Sequence, residues 1–196
     1  MANISIEDIK KLKELSGVGL TDAKNALVES DGDFDKALEA MRKKGLTKAE
    51  KRGDRETREG LVDSYVHDGR IGAIIELNCE TSFVAKTDEF KDLAHKLAMQ
   101  VASMNPLYVS LEDIPEDVKT AKKKELEENF KGPEKMKDQI IDGQMKKAFA
   151  EKTLLLQPYI LDDSKTVEAF IKENIARTGE NISIRQFKRI ELGVTE

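Results

Sequence analysis

Cys79, His67 and His95 are the residues whose types suit nucleophilic or metal chemistry, since the chain has one cysteine and two histidines. Their spacing argues against both. The alternating pattern of 71–79 puts Cys79 on the inward face of a strand, beside Ile71, Ala73, Ile75 and Leu77. A thiol there behaves as an inert small hydrophobe. His67 falls at the tip of the same predicted hairpin. A strand rises ~3.3 Å per residue, so His67 and Cys79 cannot share one coordination sphere. His95 falls on the polar side of its predicted helix and reads as a solvated surface histidine. Gly17-Val18-Gly19 lacks a third glycine and follows a helix, so it reads as a helix-ending turn and not as a phosphate-binding loop. No carboxylate pair lies in an apolar neighbourhood that would separate the two acidities. These residues predict an interaction protein that is not an enzyme, with no catalytic group, no metal site and no cofactor.

One further residue has an unusual setting. Phe83 sits in a short connection, Thr81 to Ala85, between the predicted core strand and the next helix. A phenylalanine there has two readings. It staples the strand to the helix, or it projects as an anchor for a partner's pocket, as aromatic hot spots do. Its neighbours alone favour the staple.

Composition narrows the class. The chain has 196 residues, 39% hydrophobic and 36% charged, with a net charge of −5. That is enough apolar material for a core, and long solvated helical faces are expected. No apolar run approaches the ~18 residues of a membrane span. A single cysteine forbids an internal disulfide and, with no secretory pattern at the start, predicts a cytoplasmic protein. Acidic net charge and 5% aromatic residues argue against a direct nucleic-acid binder.

The elements that would position these residues are α+β. Residues 1–46 predict a three-helix unit. Ser5 with Asp8 forms a capping box, and Ile6, Ile9, Leu12 and Leu15 make the first stripe. Thr21 caps the second helix. Asp33 caps a third with Phe34, Ala37, Leu38 and Met41 inward and Gly45 at its end. Residues 47–60 read as a partly helical linker that overlaps the basic stretch 42–58, which carries eight basic and three acidic residues. Residues 61–196 predict an α+β core. Asp68-Gly69 turns a hairpin between 61–67 and 71–79. Thr87 caps a helix with Phe90, Leu93, Ala94, Leu97, Ala98 and Val101 on one face. The span 116–150, with narrow apolar stripes either side of Lys131-Gly132-Pro133, predicts a projecting helical hairpin. A strand around Leu154–Ile160, a helix from Thr166 to Gly179 and a strand from Ile182 to Leu192, irregular near Phe187, complete the order.

Three blocks then carry a resemblance over the whole length. Leu12-Lys13-Glu14-Leu15-Ser16-Gly17-Val18-Gly19-Leu20-Thr21-Asp22-Ala23-Lys24-Asn25-Ala26-Leu27 is similar to the pattern L(R/K)xxTGAGxMDxKxAL. Asn78-Cys79-Glu80-Thr81-Ser82-Phe83-Val84-Ala85 is similar to NCETDFVA. Thr178-Gly179-Glu180-Asn181-Ile182-Ser183-Ile184-Arg185, followed by Glu191-Leu192-Gly193, is the third block. Together they resemble the bacterial elongation factor Ts family.

The resemblance implies a guanine nucleotide exchange factor for elongation factor Tu, the GTPase that delivers aminoacyl-tRNA. It implies that the N-terminal unit is of the ubiquitin-associated type and docks on the GTPase. The docking positions would be Leu12, Ser16, Gly17, Val18, Gly19, Leu20, Asp22 and Lys24. Thr81, Ser82, Phe83 and Val84 would be the wedge beside the partner's magnesium and phosphate site. This reverses the choice for Phe83 in favour of the anchor. It also implies a homodimer, as in short members of the family. Ser82 departs from the family's Asp and removes a negative charge from the wedge.

Overall fold

The first helix begins where Ser5 accepts a hydrogen bond from the N–H of Asp8 at 3.0 Å, as the capping box predicts. The computed structural model describes residues 4–16, 19–130, 133 and 136–194, without the side chains of Arg42, Leu46 and Lys48. Helix α1 spans Ile6–Ser16, α2 Leu20–Glu29 and α3 Phe34–Glu50. Leu12, Ala23, Ala26, Leu27, Ala37 and Met41 form their buried core, with Ile4, Ile9, Phe34 and Leu38 packed around it. Helices α1 and α2 are too short to be stable alone, so this shared stripe and not propensity holds them on α3.

Several local expectations need correction. Ile6 and Leu15 are exposed, and Ile4 packs against the core in their place. The N-cap of α2 is Gly19, so Thr21 lies inside the first turn and caps nothing. Asp33 does cap α3, accepting from the N–H of Lys36 at 3.1 Å. Yet α3 continues past Gly45 to Glu50. A Cβ on Gly45 would stand 3.1 Å from the Cβ of Ala176. The glycine therefore permits close helix packing and does not end the helix.

The strands are β1 (Glu59–His67), β2 (Ile71–Cys79), β3 (Pro158–Tyr159), β4 (Asp162–Thr166) and β5 (Ile182–Glu191). One sheet has the order β1-β2-β5, and β3 pairs antiparallel with β4 in a second. The β1–β2 turn is as predicted. Asp68 (φ 49°) and Gly69 (φ 66°) both take positive φ, as a type I′ turn requires. The later helices are α4 (Ser82–Ala85), α5 (Asp88–Met104), α6 (Glu116–Glu128), α7 (Lys137–Phe149) and α8 (Val167–Thr178). The fold is mixed α+β with an N-terminal helical unit.

The chain divides into two units, each holding a portion of β1, β2 and β5. The first comprises Met1–Leu61, Leu77–Asp92 and Ala169–Ser183. Besides the three-helix core it buries Leu77, Cys79, Phe90, Ile171, Ile175 and Ile182. The basic stretch after α3 is tied down within this unit. Arg52 donates to the carbonyl of Ile175 at 3.3 Å, and the Asn181 amide donates to the carbonyls of Gly53 (3.1 Å) and Arg55 (2.7 Å).

The second unit comprises Val62–Glu76, Leu93–Glu168 and Ile184–Glu196. Leu93, Ala94, Leu97, Ala98 and Val101 of α5 are all buried, so the predicted stripe is the core face. Helices α6 and α7 pack as a pair. Residues 117–125 share a shallow cleft with 148–152, which makes the pair antiparallel. Helix α6 buries no residue fully, as its sparse stripe implies. The expected strand from Leu154 is instead a 3₁₀ turn, Leu154–Leu156, with β3 reduced to Pro158–Tyr159. The N–H groups of Leu154 and Leu155 donate to the carbonyls of Tyr108 and Val109, which pins the turn. A buried amide pair fastens this region. Gln100 donates to Gln157 (3.2 Å) and to the Pro158 carbonyl (3.1 Å), while Gln157 donates to the carbonyls of Met104 and Glu151.

Candidate partner-binding site

The strand β2 delivers the chain to the segment that contains Phe83. Thr81 is the N-cap of α4, and its hydroxyl accepts from the N–H of Val84 at 3.4 Å. Four residues make one turn, too few to be stable by themselves. The turn is held from outside. Glu180, in the connection between α8 and β5, accepts from the N–H of Thr81 at 2.9 Å and from its hydroxyl at 2.6 Å. The neighbouring residues answer in the other direction, since Glu80 accepts from the N–H of Asn181 at 2.7 Å. Arg55 reaches Glu80 at 3.5 Å.

Phe83 is 86% exposed on this turn. The staple reading is therefore excluded for the structure as it stands. Ser82 beside it is also exposed, Val84 is half-buried and Ala85 is buried, so one side of the turn faces the body. Thr87 closes the segment by donating to the carbonyl of Val84 and accepting from the N–H of Phe90 at the start of α5.

Cys79 is fully buried and donates to the carbonyl of Thr81 at 3.2 Å. Desolvation, aided by the charge of Glu180, pushes its thiol up from 9.0 to about 11. A thiol so far above neutral pH is no nucleophile.

The N-terminal candidates separate by exposure. Leu12 is fully buried in the three-helix core, so it packs and does not face a partner. Ser16 is nearly buried and its hydroxyl donates back to the carbonyl of Leu12. Leu20 is 54% exposed and Lys24 is exposed, while Asp22 pairs with Lys44 at 3.1 Å. Gly19 caps α2; Gly17 and Val18 lie outside the described residues.

The histidines do not behave as isolated surface groups. His95 is half-exposed but its Nδ1 lies 3.1 Å from the Asp63 carboxylate. Tyr65 stacks edge-on against it with ring centroids 5.8 Å apart, and the Tyr65 hydroxyl lies 3.0 Å from Nδ1 of His67. Sequence spacing missed this group because Asp63 and His95 meet only through the fold. Among the described residues no cluster of three or more His, Cys, Asp or Glu could hold a metal ion, and no helix is long and apolar enough to cross a membrane.

The outward face of the sheet is the other unexpected surface. Alternation in β1 and β2 turns Val62, Val66 and Ile74 away from the buried face. In β5 the inward parity changes after Ile184, leaving Ile190 outward. Val62, Val66, Ile74 and Ile190 are 62%, 64%, 47% and 75% exposed.

Comparison with known proteins agrees with these blocks. A family model described as Elongation factor TS matches residues 21–194. A protein named Elongation factor Ts from Thermotoga neapolitana is 50% identical over 192 residues, covering 97% of this chain and 98% of that protein. One of the same name from Moorella thermoacetica is 50% identical over 195 residues, covering 97% and 96%. A longer one from Rippkaea orientalis is 48% identical over 199 residues, covering 98% of this chain and 80% of its own length. The family match spans the second and third sequence blocks and the end of the first, and with relatives 50% identical over nearly the whole length the chain belongs to the elongation factor Ts family.

Proposed function

We propose that this chain is a guanine nucleotide exchange factor for elongation factor Tu, acting in the cytoplasm during translation elongation. It performs no chemical reaction. It accelerates GDP release by binding the nucleotide-free GTPase more tightly than the GDP-bound form, which by reciprocity weakens GDP binding. A 10⁴-fold weakening needs a differential of ~5.5 kcal/mol. One phenylalanine cannot supply that alone, so a broad interface shares it.

The observation that carries this reading is the exposure of Phe83 on a turn held by hydrogen bonds at both ends. A large apolar side chain is presented to solvent. On this reading Thr81, Ser82, Phe83 and Val84 form a wedge entering beside the magnesium and phosphate site of the GTPase. The domain of residues 1–46 docks on the GTPase through Gly19, Leu20 and Lys24, with Gly17, Val18 and Asp22 in the same docking segment. Residues 47–60 connect it to the core of 61–196, which carries the helical hairpin of about 116–150.

The same reading includes a homodimer. Val62, Val66, Ile74 and Ile190 present an apolar face whose remaining exposed area, once buried, would contribute about 1–2 kcal/mol per side chain. A second copy supplies a matching face, and the pair binds two GTPase molecules. The test of the exchange function is release of fluorescent GDP from elongation factor Tu, timed with sub-stoichiometric chain. Turnover supports it. Absence of both acceleration and complex overturns it.

A further inference from the structure

Thr81 has every polar atom engaged. Its N–H and hydroxyl donate to the two carboxylate oxygens of Glu180, at 2.9 and 2.6 Å. Its hydroxyl oxygen accepts from Val84 N–H, and its carbonyl accepts from Cys79 Sγ and from the N–H of Ala85. The bonds from Glu180 thus pass through one hydroxyl into the backbone of the turn that carries Phe83. Phe83 itself is too exposed to orient that turn by packing.

The grip is also two-sided. Glu80 and Thr81 on one segment exchange bonds with Glu180 and Asn181 on the other, each carboxylate taking a backbone N–H across the gap. Asn181 in turn holds the carbonyls of Gly53 and Arg55. Bonds to a carboxylate are shorter and roughly twice as strong as neutral ones. A rotation of so short a turn would swing Phe83 by more than the ~1 Å that costs a positioned group ~10²-fold in rate.

We propose that Glu180 is a positioning residue for exchange: it fixes the direction of Phe83 through Thr81 without touching the partner. This rests on the exchange reading above. The bond that matters is the one to the Thr81 hydroxyl, because only it continues to Val84.

The experiment uses the full chain carrying Glu180→Ala, Glu180→Gln, Thr81→Val, Thr81→Ser or the double change Glu180→Ala with Thr81→Val. Three quantities are read: amide exchange of residues 81–85 in the free chain, the maximal GDP-release rate at saturating chain, and the half-saturating concentration. Glu180→Ala and Thr81→Val are each expected to speed amide exchange and to lower the maximal rate by about tenfold or more. The half-saturating concentration should move less than about threefold, because the docking surfaces stay intact. Thr81→Ser should recover most of what Thr81→Val loses, and Glu180→Gln, which still offers one acceptor oxygen, should fall between. The double change should be no worse than the worse single one.

Unchanged amide exchange and rate in Glu180→Ala would overturn the proposal. So would a loss shared equally between rate and half-saturation, or a Thr81→Ser variant as impaired as Thr81→Val. If Glu180→Ala fails to fold, the contrast between Thr81→Val and Thr81→Ser decides the question in its place. A wild-type chain that does not accelerate release overturns the exchange reading, and this proposal with it. A wild-type chain that does, beside an unimpaired Glu180→Ala, overturns only the positioning role.

Discussion

Gly60 lies directly against the backbone of Leu77: a Cβ at position 60 would stand 2.2 Å from the Leu77 carbonyl oxygen and 2.8 Å from Cα of Asn78. No side chain fits there, whatever its chemistry, because the obstacle is backbone and cannot rotate away. Gly60→Ala is therefore expected to cost about 3 kcal/mol, the upper end of the overpacking range. A urea titration reads this as a lower midpoint with an unchanged slope. An unchanged midpoint would mean the strands separate there at no cost.

Ser82 is the first residue of the turn that carries Phe83, and it is exposed. The pattern NCETDFVA that this segment resembles carries Asp in its place. A carboxylate at this position would favour the free N–H groups of the turn and add a negative charge to the wedge. Ser82→Asp is expected to raise the rate of GDP release several-fold, with no loss of thermal stability. An unchanged rate would show that Ser82 carries no deficit.

The outward sheet face gives a prediction independent of exchange. Ile190 is 75% exposed, so Ile190→Glu should leave the fold intact. If that face joins two copies, sedimentation should show the mass falling from twice 22.0 kDa to 22.0 kDa. Two new like charges would meet across the symmetric contact. A mass unaffected by the substitution would exclude this face as the interface.

Cys79 makes folding less favourable at alkaline pH. Its folded-state acidity is weakened, from 9.0 to about 11. The unfolded chain therefore loses its thiol proton first as pH rises. The contribution is fully present below about pH 9 and declines as pH climbs through about 11. Native chain at pH 8 should resist a thiol reagent and react fully in denaturant. Rapid labelling of native chain would contradict the burial.

Much of this is legible in the residues, for physical reasons that also explain the gaps. The turn at Asp68-Gly69 and the stripe of α5 are readable because turn chemistry and periodicity are local signals. Gly45 misleads because glycine marks both helix ends and close packing, and only Ala176 across the contact distinguishes them. The sequence Asp162–Thr166 has no apolar alternation, so β4 carries no strand signal. Leu154–Leu156 has the apolar character of a strand, but bonds to Tyr108 and Val109 fix a turn. Phe83 cannot be assigned from spacing, since a four-residue helix is barely longer than one helical period. The partnership of Thr81 with Glu180 spans 99 positions and leaves no trace in local pattern.

The most direct measurement compares wild type with Phe83→Ala in release of fluorescent GDP from elongation factor Tu, at saturating and sub-stoichiometric chain. Wild type should turn over many GTPase molecules. Phe83→Ala should still form the complex and unfold at the same temperature, because an 86% exposed side chain contributes little to the fold. Its maximal release rate should fall at least tenfold, the ~1.4 kcal/mol of a single lost anchor. No acceleration by wild type, or equal acceleration by both, would contradict the account.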